Sequence, residues 1–230
     1  MPTQVPAPRF AAGQLPGAAR IQQSLLSRVE KRALVWMAER TPAWINSDHL
    51  TALGFAAQLV AGVGYAMSRT GRFWLLAAIG CLALNWFGDS MDGTLARVRE
   101  RERSRYGFYL DHMLDSIGAA GLLLGLAYSG YMSGVIATCL LVSFLLLSIQ
   151  SYLATYTLGE FRMSFWRFGP TELRLLLAAG NLALFRWPRA WGGYRLFDVG
   201  GVIGILGMAA MLVWFGARNI VRLYREEAGS

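Results

Sequence analysis

Four aspartates interrupt the longest apolar runs of this chain, and their spacing is suited to chemistry. Asp89 and Asp92 are three residues apart, and Asp111 and Asp115 are four residues apart. Residues three or four apart share one face of an α-helix, so each pair would present two carboxylates on the same side. An ionised carboxylate in hydrocarbon costs several kcal/mol, so acidic side chains within apolar segments indicate a functional site.

The two pairs can meet if the arginine-rich stretch between them, residues 97–105, returns the chain antiparallel. Four carboxylates at one place cannot all remain ionised without cations, because like charges repel at short distance. Oxygen ligands without a cysteine or histidine cluster favour hard ions, chiefly Mg²⁺ or Mn²⁺. Two such ions can neutralise a diphosphate and the charge that develops during in-line displacement at phosphorus. The pattern therefore predicts a two-metal site for chemistry at phosphorus.

Small and basic residues beside the aspartates fit a phosphate-containing ligand. Gly93 and Gly107 carry no side chain and would let a ligand approach the backbone closely. Ala96 lies one turn after Asp92 and keeps that helix face open. Arg97 would place a guanidinium next to phosphate.

The elements that must position these residues are long apolar helices. The chain has 230 residues, of which only 16% are charged, and its mean hydropathy is +0.38. These values are typical of an integral membrane protein, and several nearly uncharged stretches have the ~20-residue length that crosses a bilayer. We expect an all-α membrane protein with six transmembrane helices, preceded by an amphipathic interfacial helix. The predicted spans cover residues 46–67, 73–98, 106–128, 132–158, 171–185 and 196–222.

Composition divides the chain into four segments. Residues 1–19 are rich in proline, glycine and small residues and are expected to form a flexible arm. Residues 20–42 combine helical apolar spacing with interleaved basic residues, which is typical of a helix in the membrane interface. The six-span domain is expected to occupy residues 43–225, followed by a tail at 226–230. No basic-apolar-small cleavage pattern opens the chain, so we expect no signal peptide.

The distribution of basic residues predicts the orientation in the membrane. Six spans place both ends of the domain on one side, and 17 of the 22 basic residues lie there, in residues 1–42, 97–105, 159–174 and the carboxyl-terminal end of the chain from Arg218 onward. The opposite face has five, namely Arg69, Arg72, Arg186, Arg189 and Arg195. The positive-inside bias therefore predicts a multi-pass protein of the cytoplasmic (inner) membrane whose aspartates face the cytoplasm. The net charge of +8 then reflects contact with anionic lipid or phosphate, and we expect no nucleic-acid partner.

The acidic stretch can be written D-x-x-D-G-x-x-A-R, nine residues, then G-x-x-x-D-x-x-x-D. It resembles the signature of the CDP-alcohol phosphotransferase family, also called CDP-alcohol phosphatidyltransferases. These membrane enzymes make phospholipids by displacing CMP from a CDP-linked substrate. Every fixed position of the signature is present here, as Asp89, Asp92, Gly93, Ala96, Arg97, Gly107, Asp111 and Asp115.

The resemblance implies a role for each of these positions. Asp89, Asp92 and Asp111 would hold two Mg²⁺ or Mn²⁺ ions. Asp115 would contact the second metal and act as general base on the acceptor hydroxyl. The cytidine diphosphate would be bordered by Gly93, Ala96, Arg97 and Gly107. The resemblance also implies that the protein is a homodimer.

Two donor and acceptor combinations share this chemistry and remain open. We favour CDP-diacylglycerol as donor with a small polar acceptor such as inositol phosphate, glycerol phosphate or serine. Four polar residues after the fourth span are candidates for acceptor binding: Arg162, Arg167, Glu172 and Arg174. The alternative is transfer from CDP-choline or CDP-ethanolamine to diacylglycerol, because "RFGPTEL" loosely resembles a stretch of choline and ethanolamine phosphotransferases.

Two non-enzymatic interpretations also account for acidic residues in apolar helices. The aspartates could pair with the neighbouring arginines to hold helices together, although this explains neither the glycines nor the spacing. They could instead line an ion or proton pathway. Transport sites of that kind usually lie near the bilayer midplane on broken helices, whereas these aspartates lie at the membrane edge.

Overall fold

The computed structural model describes residues 27–159, 170–187 and 193–228. The predicted arm at 1–19 and the first residues of the predicted interfacial helix lie outside these ranges. The described residues form seven α-helices: α1 (Ser27–Arg40), α2 (Ser47–Met67), α3 (Phe73–Val98), α4 (Ser104–Ser129), α5 (Gly134–Leu158), α6 (Pro170–Arg186) and α7 (Leu196–Ala228). The predicted all-α class is confirmed.

Five of the six predicted spans have the length and composition needed to cross a membrane, namely α2, α3, α4, α5 and α7. The other predicted span forms α6, but this helix has only 17 residues and carries Glu172 and Arg174 in its first turns. At about 1.5 Å per residue it is slightly shorter than the hydrocarbon core is thick. The chain is thus a multi-pass, all-helical membrane protein with five long apolar helices among the described residues.

The turn between α3 and α4 reverses the chain within five residues and brings the two acidic helix faces to the same end of the bundle. Glu100 has a φ of 51°, a left-handed conformation that tightens the turn after α3. The Arg99 guanidinium extends from the turn to the α1–α2 connection, where it donates to the carbonyl oxygens of Thr41 at 2.8 Å and Pro42 at 3.0 Å. The connection between α1 and α2 is therefore tied to the end of α3.

Helix α2 packs against both acidic helices, and glycines permit the close approach. A Cβ at Gly88 of α3 would lie 2.6 Å from the Leu50 carbonyl oxygen and 2.7 Å from the Gly54 Cα. On the other side of α2, a Cβ at Gly125 of α4 would lie 2.6 Å from the carbonyl carbon of Gly62. A side chain at either position would force the helices apart. The small residues therefore place the backbone of α2 directly beside α3 and α4.

Helix α1 lies against the carboxyl-terminal half of α3. Its Leu34 and Ala38 are buried in a cluster with Leu50, Met91 and Leu95. The indole nitrogen of Trp86 on α3 also donates a 3.0 Å hydrogen bond to Glu30. Residues 27–40 of the predicted 20–42 segment therefore form a helix that is attached to α3.

The remaining helices complete the bundle around a second apolar cluster. Helix α5 packs against α4 and α7, and α6 packs against α3 and α7. Tyr65, Leu75, Leu184 and Phe197 are among the buried residues that join α2, α3, α6 and α7. Many large apolar side chains of α5 and α7 remain exposed, as expected of helices whose outer faces contact lipid.

Candidate active site

The four aspartates predicted from their spacing line a single pocket at one end of the bundle. Asp89 and Asp92 come from α3, and Asp111 and Asp115 come from α4. Helix α2 forms the third wall through Thr51, Gly54, Phe55 and Gln58, and the lining is completed by Asn85 and Leu114. The antiparallel return between α3 and α4 thus brings together the two acidic faces, as the sequence predicts.

Asp92 is the most enclosed of these carboxylates and is oriented by α2. Its side chain is buried, and its Oδ2 accepts a 2.6 Å hydrogen bond from the Thr51 hydroxyl. The Ser47 hydroxyl donates to the backbone oxygen of Asp92 at 2.8 Å. The first turns of α2 therefore hold both the backbone and the side chain of Asp92.

Asp89 lies at the more open rim of the pocket and forms an ion pair with α6. The Arg174 Nη2 donates to Oδ2 of Asp89 at 3.0 Å, and its Nε donates to Oδ1 of Asn85 at 2.7 Å. The Asn85 amide nitrogen in turn donates to the Gly54 carbonyl oxygen at 2.9 Å. The side chain of Arg174 is largely buried, with 15% of its surface exposed. One guanidinium thus links α6 to α3 beside the acidic cluster.

The chemistry of the donor set fits a hard divalent cation. The pocket contains four carboxylates together with hydroxyl and amide oxygens, and no cysteine or histidine lines it. As the side chains are placed, no three acidic, histidine or cysteine residues of the described part of the chain surround a common point at metal-binding distance. The four carboxylates line the same pocket, but their described positions do not surround a single metal-binding point.

The predicted nucleotide-binding residues Gly93, Ala96, Arg97 and Gly107 do not line this pocket. Gly93 and Ala96 are half-buried, whereas Arg97 is exposed and donates to the Thr94 hydroxyl at 3.2 Å. A Cβ at Gly93 would make only an ordinary 3.5 Å contact with the Arg97 guanidinium, and a Cβ at Gly107 would meet nothing within 4 Å. Unlike Gly88, neither glycine is required for helix packing among the described residues.

The predicted acceptor-binding residues divide between described and undescribed parts of the chain. Arg174 lies at the pocket as the partner of Asp89, and Glu172 is half-buried in the first turn of α6. Arg162 and Arg167 lie outside the described residues. Arg174 is in direct contact with the acidic cluster through its ion pair with Asp89.

Sequence reasoning missed the contribution of α2. Thr51, Gly54, Phe55 and Gln58 recur at the spacing of one helix face, and two of them are polar within an otherwise apolar span. That pattern could have identified a polar face on α2. It could not have shown that this face is directed at the aspartates, because the spacing says nothing about which helix packs opposite.

The chain matches a known protein family over the region that contains this pocket. A protein-family model described as CDP-alcohol phosphatidyltransferase matches residues 44–216, which is more than half of the chain and includes all four aspartates. The matched region begins just before α2 and ends within α7.

Two curated proteins are similar to part of the chain. An archaetidylinositol phosphate synthase of Pyrococcus horikoshii is 33% identical over 113 residues, which is 49% of this chain and 53% of that protein. An archaetidylinositol phosphate synthase of Methanothermobacter thermautotrophicus is 28% identical over 123 residues, which is 51% of this chain and 59% of that protein. The chain therefore spans somewhat more than half the length of the curated relatives it matches.

Proposed function

The chain belongs to the CDP-alcohol phosphatidyltransferase family, and we propose that it is a phospholipid-synthesising transferase that displaces CMP from a CDP-linked donor. The nucleophile is an alcohol hydroxyl of the acceptor. The observation that carries this proposal is the arrangement of Asp89, Asp92, Asp111 and Asp115 around one pocket at the end of two antiparallel apolar helices.

The proposed reaction is a single displacement at phosphorus. The acceptor oxygen forms a bond to the phosphorus that carries the non-nucleotide part of the donor, and the bond from that phosphorus to the bridging oxygen breaks. CMP leaves with the bridging oxygen, and the hydroxyl proton passes to Asp115. A carboxylate within hydrogen-bond reach is a suitable base because an alcohol is a poor nucleophile while it retains its proton.

We propose that Asp89, Asp92, Asp111 and Asp115 hold two Mg²⁺ or Mn²⁺ ions. Ions bound there would supply positive charge to the diphosphate and to the oxygen of the leaving group. Thr51 and Asn85 would hold two of the carboxylates in place. Thr51 donates to Asp92, and Asn85 positions the Arg174 guanidinium that contacts Asp89. Rotation of the carboxylates would complete the coordination.

The nucleotide is proposed to lie on the open side of the pocket. It would be bordered there by Gly93, Ala96, Arg97 and Gly107, the four small or basic residues of the signature. Support comes from the two glycines, whose missing side chains leave space that no described residue fills. The exposed Arg97 guanidinium lies next to Gly93 and can contact phosphate.

We propose CDP-diacylglycerol as the donor and a phosphorylated polar alcohol as the acceptor. The names of the relatives contain inositol phosphate, which favours inositol phosphate among the candidates. Arg174 supports a phosphorylated acceptor because its guanidinium is fixed at the pocket rim. The alternative, transfer from CDP-choline or CDP-ethanolamine to diacylglycerol, is supported only by the short "RFGPTEL" resemblance. Glu172, together with Arg162 and Arg167, would complete the site for the phosphorylated acceptor.

The proposed membrane arrangement has six spans, with α6 as the shortest, and α1 in the interface. The pocket would open to the cytoplasm at the cytoplasmic membrane, because the arginine-rich turn at residues 99–103 adjoins it. We also propose a homodimer, in keeping with the family resemblance. The large exposed apolar faces of α5 and α7 provide surface for lipid and for a second copy.

The test is an assay of CMP release by the purified protein in detergent or vesicles. Radiolabelled CDP-diacylglycerol or CDP-choline is supplied with Mg²⁺ and, in separate reactions, inositol phosphate, glycerol phosphate, serine or diacylglycerol. We expect CMP and a new phospholipid with CDP-diacylglycerol, loss of both on addition of EDTA, and recovery with excess Mg²⁺ or Mn²⁺. Asp111→Asn serves as the inactive control for contaminating enzymes. Absence of metal-dependent CMP release with every combination of donor and acceptor would refute the enzymatic proposal. Release with CDP-choline alone would refute CDP-diacylglycerol as the donor.

A further inference from the structure

Gln58 is a polar residue in the pocket that the family signature does not include. It lies on α2, an apolar helix long enough to cross a membrane, and it lines the same pocket as Asp92, Asp111 and Asp115. Gln58 is two helical turns further into the membrane than Thr51, the residue that contacts Asp92. It therefore borders the inner part of the pocket.

The chain makes room for this side chain at Gly118 of α4, one turn after Asp115. A Cβ at Gly118 would lie 2.6 Å from the Gln58 Cδ and 3.2 Å from its Nε2. Gly118 is buried, so its missing side chain is replaced by the Gln58 carboxamide. This contact differs from those of Gly88 and Gly125, where the close neighbour is the backbone of another helix. The carboxamide consequently lies against α4 beside the turn that carries Asp115.

The hydrogen-bonding capacity of this amide is not used by the described part of the protein. The other polar side chains on the pocket wall have partners, since Thr51 donates to Asp92 and Asn85 contacts both Gly54 and Arg174. No residue of the described ranges forms a hydrogen bond with the Gln58 carboxamide. An amide in an apolar span is costly unless it has a partner. Its donors and acceptor are thus available to a molecule that enters the pocket.

From this placement we infer that Gln58 binds the reacting hydroxyl of the acceptor alcohol and holds it in front of Asp115. The inference rests on the proposed function. A hydroxyl group has one donor and two acceptor lone pairs, so it can donate to a carboxylate while it accepts from an amide N–H. As the proton passes to Asp115 and the oxygen attacks phosphorus, that oxygen gains negative charge. A fixed N–H donor next to it becomes a stronger partner in the transition state than in the ground state.

The test is the Gln58→Met variant, which retains side-chain length over Gly118 and removes the amide. Kinetics are measured with CDP-diacylglycerol and the best acceptor among inositol phosphate, glycerol phosphate and serine, or with CDP-choline and diacylglycerol if only that pair reacts. We expect kcat/KM for the acceptor to fall about tenfold or more, the loss associated with one hydrogen bond to a group that becomes charged. The KM of the donor should stay within about twofold of the wild-type value, because Gln58 is assigned to the acceptor.

Two further variants separate this role from a structural one. Gln150→Met makes the same chemical change within the span α5, outside the pocket, and should leave the kinetics unchanged. Gln58→Asn keeps the amide but shortens its reach. A loss of kcat/KM confined to the acceptor is expected here too, and this variant provides the test if Gln58→Met fails to fold. Gly118→Ala should displace the Gln58 side chain and cause a similar loss of kcat/KM for the acceptor. The double variant of Gly118→Ala with Gln58→Met should be little worse than Gln58→Met alone.

The measurements distinguish a failure of the inference about Gln58 from a failure of the proposed function. If the wild-type protein releases no CMP, the proposed function fails and the inference fails with it. If the wild-type protein is active and folded Gln58→Met retains its acceptor kinetics, only the inference is overturned. A rise in the donor KM with unchanged acceptor KM would also overturn it, because the amide would then serve the nucleotide or diphosphate.

Discussion

The Thr51 hydroxyl donates a 2.6 Å hydrogen bond to Oδ2 of Asp92 across the interface between α2 and α3. Asp92 is only 7% exposed, so the orientation of its carboxylate depends on groups of the protein rather than on water. Thr51 lies 38 positions before the first aspartate of the signature, Asp89. The candidate site is consequently built by three helices, although its recognisable signature lies on two.

Thr51→Val removes the hydroxyl and keeps the shape of the side chain. We expect kcat/KM to fall about 10- to 100-fold and the Mg²⁺ concentration for half-maximal activity to rise, as is usual when a metal ligand loses its hydrogen-bonding support. Metal titrations of CMP release measure both effects. Thr51→Ser retains the donor and should stay near wild type, and equal activity of the valine and serine variants would contradict the role of this hydrogen bond.

Asp115→Asn tests the proposed general base. The amide has nearly the same shape but cannot accept the hydroxyl proton, so turnover should fall by at least about 100-fold. Binding of CDP-diacylglycerol, measured as a ligand-dependent rise in Tm, should remain detectable. Asp198→Asn is the matched control, because that carboxylate accepts a 2.5 Å hydrogen bond from the Ser133 backbone in the α4–α5 turn, away from the pocket. Substantial turnover by Asp115→Asn would exclude it as the base.

Arg174→Gln tests the guanidinium that bridges Asn85 and Asp89. Loss of charge-assisted hydrogen bonds, each contributing about 1.5–3 kcal/mol, should lower kcat/KM about tenfold or more. If Arg174 also binds the acceptor phosphate, the loss should be larger with inositol phosphate than with serine. Arg186→Gln changes the last residue of the same helix and should have little effect. An equal loss with both acceptors would show that Arg174 supports Asp89 and does not bind the acceptor phosphate.

Gly88→Ala tests the close contact between α2 and α3. The added Cβ would lie 2.6 Å from the Leu50 carbonyl oxygen, and overpacking of this kind costs about 1–3 kcal/mol or more. A lower Tm in detergent and reduced CMP release are expected, because Gly88 precedes Asp89. Gly80→Ala on the same helix is the control, since a Cβ there would meet nothing within 4 Å. A Tm for Gly88→Ala equal to that of Gly80→Ala would contradict the packing.

The proposed orientation is tested with single cysteines in a chain whose Cys81 and Cys139 are replaced by alanine. Thr70→Cys lies in the exposed α2–α3 turn, and Glu102→Cys lies in the exposed α3–α4 turn beside the pocket. A membrane-impermeant thiol reagent applied to intact cells should label Thr70→Cys. Glu102→Cys should react only after the membrane is permeabilised. The opposite result would place the pocket on the outer face.

Helix positions were largely predictable from the sequence because each span is a long uncharged stretch with polar or glycine boundaries. The predicted 73–98 span coincides with α3, and the predicted 132–158 span begins two residues before α5. The exception in length is α6, whose charged first turns shorten the apolar part. Residues that share a helix face were also predictable, because helical periodicity alone places Asp89 with Asp92 and Asp111 with Asp115.

By itself, the sequence determined which helix faces carry the four carboxylates and the family to which the chain belongs. Only the tertiary structure decided that α2 supplies Thr51 and Gln58 to the same pocket and that Arg174 pairs with Asp89. The physical reason is that periodicity is a local property, set by 3.6 residues per turn. The choice of partner helix depends on close backbone contacts, here those of Gly54 with Gly88 and of Gly62 with Gly125, which involve residues far apart in the chain.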